Sequence, residues 1–152
     1  MRTACLLVTA ALTLAGCSSS DERPVAEPSG ADERVEGVLD GVELALEVAD
    51  TREERAVGLM RRESVPPGTG MVFLYDEPST GRYYMFDVPV QLRATFIRSG
   101  RVVTTVVMPP CGERDPSACP TYGADGPYDT VVETAPEALP DVQPGDAFEL
   151  QG

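Results

Sequence analysis

The chain has 152 residues, 42% of them hydrophobic and 24% charged, with 12 basic residues against 25 acidic ones and a net charge of −13. Every basic residue is Arg, and Lys, His, Trp and Asn are absent. The length suits one domain with a buried core. The missing residue types exclude imidazole triads, imidazole metal sites and Schiff-base lysines, and the charge argues against nucleic acid as a partner.

Residues 1–16 read as a signal peptide, with Arg2 ahead of an apolar stretch from Ala4 to Ala15 that ends in small residues. That stretch is shorter than the ~20 residues a membrane-spanning helix needs. The run Leu14-Ala15-Gly16-Cys17 resembles the lipobox of bacterial lipoproteins, in which the peptide is cut before the Cys and the new terminus carries fatty acyl chains such as palmitate. The resemblance implies an extracytoplasmic protein of the cell envelope, anchored to a membrane through lipid on Cys17. Stable anchoring takes two or more chains, since one binds a bilayer only marginally. A plain secretory signal is the alternative, and it would leave Cys17 as a free thiol. Residues 17–34, rich in Ser, Pro and acid, cannot bury enough surface to order themselves. They read as a tether spanning roughly 20–25 Å.

A single β-rich domain is expected over residues 35–152. Val42, Leu44, Leu46 and Val48 alternate as the buried face of a strand. A helix follows from Asp50 to Arg62, opened by a Thr51–Glu54 capping box and closed by Arg61 and Arg62, with Ala56, Leu59 and Met60 as the stripe that lies on the sheet. Gly58 allows close backbone approach there. Val65-Pro66-Pro67-Gly68 is a loop. Further strands are expected at 71–75, 82–86, 93–98, 101–107, 128–133 and 147–150, with Ser99-Gly100 as a hairpin turn, a helical turn at 136–139, and a turn at 144–146. About seven short strands and one helix indicate an antiparallel sandwich or barrel.

Cys111 and Cys119 are the two cysteines that remain after export and lipidation, and in an oxidising compartment they favour a disulfide. Two thiolates fall short of a four-ligand zinc site, and the spacing lacks the Cys-x-x-Cys of redox enzymes.

Several blocks occur in an order that resembles domain-of-unknown-function family 192, an uncharacterised bacterial and archaeal family. They are Ala49-Asp50-Thr51, Glu54-Arg55, Gly58-Leu59-Met60 with Arg62, Gly70-Met71-Val72-Phe73, Tyr84-Met85, Leu92, Phe96-Ile97, Gly100-Arg101-Val102-Val103, Pro110-Cys111, Cys119-Pro120-Thr121-Tyr122 and Pro144-Gly145-Asp146. The resemblance covers Val42 to Leu150. It implies a mainly β fold, an antiparallel β-sandwich of jelly-roll type with one packed α-helix, and carries no established activity. Where the family typically has Trp-Met-Lys-Asn this chain has Tyr84-Met85-Phe86-Asp87, and where Leu-Asp is common it has Leu92-Arg93. Asp87 and Arg93 are therefore expected to form a compensating ion pair.

Tyr83 and Tyr84 must face opposite sides of a strand, so one is exposed. An exposed ring with Arg62, Asp87, Arg93 and Tyr122 would bind a glycan or peptide, which points to a non-catalytic envelope lipoprotein without metal or cofactor. The alternative is a carboxylate-dependent hydrolase of cell-surface glycan, with Asp76, Glu77 and Asp87 as candidate acids.

Overall fold

A computed structural model describes residues 34–151; the expected signal peptide, Cys17 and nearly all of the expected tether lie outside the described residues. The domain opens with β1 (Arg34–Leu39), which turns back on β2 (Val42–Ala49) through Asp40 and Gly41. Both turn residues take positive φ, 49° and 79°, the geometry in which a two-residue loop matches the twist of its strands. β1 was not among the expected strands because Gly37 interrupts its alternation. That glycine lies against Leu46 and Phe148, where an added Cβ would come within 2.9 Å of a Leu46 methyl.

β2 and β3 (Thr69–Ser79) are adjacent and parallel, so the chain between them must cross back over the sheet. The helix α1 (Arg52–Val57) lies in that crossover. Its capping box forms as expected, with the Thr51 hydroxyl accepting from Glu54 N and the Glu54 carboxylate accepting from Thr51 N. The helix is shorter than expected, because Gly58 at φ 49° ends it, and it buries no residue. Ala56 is exposed, and Leu59 reaches the core from the turn after the helix. Gly58 packs against the Phe73 ring, to which a Cβ would come within 3.2 Å.

The remaining elements are β4 (Tyr83–Tyr84), β5 (Leu92–Arg98), β6 (Arg101–Met108), β7 (Thr121–Tyr122), β8 (Tyr128–Thr134) and β9 (Phe148–Gln151), with 3-10 turns at Pro116–Ala118 and Pro136–Ala138. Seven strands form one sheet in the order β6-β5-β8-β3-β2-β1-β9, and β4 with β7 forms a separate ribbon. Every pairing except β2–β3 is antiparallel. The mainly β, mostly antiparallel fold with one helix stands. In place of two facing jelly-roll sheets, one mixed sheet curls until its edges approach. Val102 N donates to Asp146 O at 2.9 Å and Phe148 N to Gly100 O at 2.9 Å, stitching β6 to β9 at one end.

Alternation along the strands sorts the core into two clusters. Leu39, Leu44, Leu46, Val72, Ile97, Val102, Val132 and Phe148 fill the inside of the curl, with Leu139 and Val142 packed among them. Met71, Phe73, Ala94, Phe96, Tyr128 and Val131 project from the other face, where Leu59, Met85 and Val88 cover them. Single steps along β3 and β8, such as Val72 to Phe73 and Val132 to Val131, switch clusters, as the two-residue period of a strand requires.

Candidate functional site

The outer cluster is not fully covered. The crossover on one side and the β4–β7 ribbon on the other leave a cavity of about 410 Å³ between them, within the range that small-molecule sites occupy. Phe73, Met85 and Leu92 form apolar wall; Tyr75, Tyr83, Tyr84 and Tyr128 add aromatic surface; Arg52, Arg55 and Arg82 also line it.

The ribbon positions Tyr83 and Tyr84. Tyr83 pairs with Tyr122 and Tyr84 with Thr121. Arg82 ties the two strands, its Nε donating to Thr121 Oγ1 at 2.8 Å and its Nη2 to Thr121 O at 2.7 Å. Cys111 and Cys119 form the expected disulfide, with Cα atoms 5.8 Å apart, and Cys111 bridges to Phe86 just past β4. Tyr83 faces inward, its ring edge-on to Phe73 at 5.3 Å and to Phe96 at 5.6 Å, and its hydroxyl 2.8 Å from that of Tyr75. Tyr84 faces outward and is 41% exposed, so the alternation of the pair is as expected. Burial, then the neighbouring Tyr75, push the Tyr83 phenol well above its usual range, and burial raises that of Tyr128 to about 12.

Glu133 supplies the unusual chemistry. It lies on β8 between register partners Met71 and Ala94, on the same face as Val131, and is 5% exposed. Among the described residues no ion pair reaches its carboxyl. Burial alone raises its pKa from 4.5 to about 8, so near neutrality it is mostly the protonated acid. A buried carboxyl without a cation, on a cavity wall, marks a candidate functional group. Its sequence signal was an acid two positions after Val131, on the strand face that Val131 shares. The expected strand at 128–133 included Glu133 without singling it out.

The expected site residues do not form one cluster. Tyr84 lines the cavity, and Tyr122 sits beside it in the ribbon, packed against the outer core. Arg62 is turned to Glu47, Nη2 to Oε2 at 2.6 Å, and Glu47 also receives Arg34 at 3.6 Å. Asp87 pairs with Arg61 at 2.9 Å and not with Arg93. The backbone selects this partner, since Arg61 N donates to Asp87 O at 2.7 Å and both residues sit at positive φ. Arg93 donates from Nη1 to Thr105 Oγ1 at 3.3 Å, while its Nε is buried without a partner, as are the hydroxyls of Thr95 and Thr134. Asp76 and Glu77 are exposed. A second, more open cavity of about 470 Å³ is lined by Arg61, Glu63, Asp87 and Pro110 beside the disulfide.

The family profile of DUF192, described as an uncharacterized ACR, matches residues 35–150. The chain belongs to the DUF192 family. Two solved structures share the fold of this DUF192 protein. A protein of unknown function from Novosphingobium aromaticivorans DSM 12444 is 25% identical, covers 81% of this chain and 89% of its own, and superposes with a TM-score of 0.65. A candidate transcription regulator from Sinorhizobium meliloti 1021 is 26% identical, covers 82% and 97% respectively, and gives a TM-score of 0.67. No curated protein matches the chain.

Proposed function

We propose that this DUF192 protein is a non-catalytic ligand-binding domain, carried on a membrane of the cell envelope by lipid on Cys17, and that the cavity beneath α1 is its ligand site. The observation that carries the reading is Glu133, a buried carboxyl with no cation partner among the described residues, on the wall of an aromatic cavity. Such a group costs folding stability, which is the usual price of a site kept for a ligand. Of the surface residues expected at a binding site, Tyr84 and Tyr122 belong to the ribbon that walls this cavity, while Arg62, Asp87 and Arg93 lie on other partners.

A glycan hydrolase finds less support. Its reaction uses two facing carboxyls about 5–9.5 Å apart, and Glu133 is the one acidic residue among the described residues lining the cavity. The regulator description of the Sinorhizobium relative would make nucleic acid a partner, and the net charge of −13 weighs against that here.

A calorimetric and NMR screen of the full chain against envelope glycans, peptides and small organic molecules tests the reading. A ligand that perturbs β8 and β4 and is weakened by Glu133→Leu, which removes the polar group, and by Tyr84→Ala supports it; one that maps elsewhere and survives both substitutions refutes it. Metabolic labelling with a palmitate analogue tests the anchor, which predicts labelled membrane-fraction protein and no label in Cys17→Ala.

A further inference from the structure

We infer that the cavity beneath α1 selects a small organic anion with an apolar body, such as an alkyl or aryl carboxylate whose head lies among Arg52, Arg55 and Arg82 and whose body reaches inward past Phe73 and Leu92. The inference rests on the cavity being the ligand site and adds the chemical class.

Charge is distributed unevenly. In a chain of net charge −13, the arginines at 34, 61, 62 and 98 pair with acids, Arg34 and Arg62 sharing Glu47, while Arg93, Arg101 and Arg114 form no ion pair among the described residues and lie outside the cavity lining. Arg52, Arg55 and Arg82 form no ion pair among the described residues, and all three line this one cavity. The lining's one acidic residue, Glu133, is held in its neutral form by burial. The walls are therefore cationic on a protein whose field otherwise repels anions, and such a focus draws in a negative ligand.

The guanidinium groups are also held in place with donors left over. Arg55 donates from Nη1 to Leu74 O at 2.8 Å and to Asp50 O, and lies 4.7 Å over the Tyr75 ring. Arg82 uses Nε and Nη2 on Thr121. Both bind carbonyl or hydroxyl oxygens, which leaves the positive charge in place. A guanidinium has five N–H donors, so each retains hydrogens for a carboxylate. Exposure falls from Arg52 and Arg82 through half-buried Arg55 to buried Glu133, which gives the cavity a cationic outer part and a neutral, hydrogen-donating inner one. A cationic ligand would have to pass three like charges. A neutral ligand would leave them unused.

Titration calorimetry and NMR on the full chain with three probes that share a body test the class: 3-phenylpropionate, 3-phenylpropanol and 3-phenylpropylamine. The carboxylate is expected to bind about ten-fold or more tightly than the alcohol, and the amine most weakly. Arg52→Gln lowers affinity for the carboxylate several-fold more than for the alcohol, whereas Arg114→Gln, the same charge change in the exposed cysteine loop, preserves the preference. Raising pH from about 6 to about 9 weakens carboxylate binding as Glu133 ionises, and Glu133→Gln abolishes that dependence. The alcohol or amine binding as tightly as the carboxylate at β8 overturns the anion class and leaves the cavity as a ligand site. If none of the three perturbs β8 or β4 at millimolar concentration, the class and the underlying reading of the cavity both fall.

Discussion

Glu133→Gln turns the buried carboxyl into a measurement. In the folded chain Glu133 keeps its proton up to about pH 8, whereas its unperturbed value is 4.5. Between those values the unfolded chain binds fewer protons than the folded one, so stability falls as pH rises, at about 1.4 kcal/mol per unit for one group. Across the whole window the loss is on the order of 4 kcal/mol, a large share of the ~5–15 kcal/mol that holds a domain together. Gln has nearly the same shape and no titration, and its buried amide costs about 1–3 kcal/mol at every pH when unpaired. The variant is therefore expected to match or fall slightly below the parent near pH 5 and to exceed it by roughly 2 kcal/mol near pH 8. Arg52, Arg55 and Arg82 on the other walls of the cavity favour the charged form and would shrink the gap without reversing it. Urea unfolding followed by circular dichroism at several pH values between these limits reads the difference directly, since the chain has no Trp. Parallel stability profiles for the two proteins would refute the argument, because they would mean that Glu133 titrates alike folded and unfolded.

Other perturbations have equally definite outcomes. Phe96→Ala should cost about 3–5 kcal/mol in urea unfolding, because that ring is fully buried between Tyr83 and Tyr128. Replacing Cys111 and Cys119 by Ser should cost about 2–3 kcal/mol from loop entropy and leave a folded domain, as checked by calorimetry. Gly70→Ala should cost about 1–3 kcal/mol or more, since its Cβ would fall 2.3 Å from Glu133 O and force β3 from β8; an unchanged melting midpoint would contradict that packing. Thr51→Ala removes the cap of a helix that buries nothing, so faster amide exchange in α1 is expected with a global loss of no more than about 1 kcal/mol.

Local patterns carried much of the fold. β2 was visible as an alternating run, β5, β6 and β8 as short strand-forming runs, and the capping box as Thr51 and Glu54, because each signal lies within a few adjacent residues. The sheet order was not visible, for it depends on which strands meet. Nothing between Ala49 and Thr69 states that the chain returns to form a parallel pair. The ends of α1 illustrate the same limit. Ala56, Leu59 and Met60 have helical spacing, yet Gly58 breaks the helix between them, and Leu59 is buried by the turn that follows. At the site, the opposed faces of Tyr83 and Tyr84 followed from strand periodicity alone. Asp87 was assigned the wrong partner because its carboxylate is aimed by a backbone contact with Arg61, 26 positions away, that no spacing rule contains. Glu133 was passed over because the charge of an acid usually means solvent, and only the strands on both sides of β8 make it an interior group.

The meeting of β6 with β9 also bears on how these molecules tolerate crowding. An unpaired strand edge is a template on which a second chain can build a sheet, and the hazard grows when many copies share one surface. Here the backbone of Gly100 and Val102 is occupied by Asp146 and Phe148, so that part of the rim has no vacancy for a foreign strand. Beyond it, β6 runs only to Met108, where Pro109 and Pro110, with no amide hydrogen to offer, stop any further zipping. At that stretch of the rim, at least, a second chain finds no backbone left to pair with.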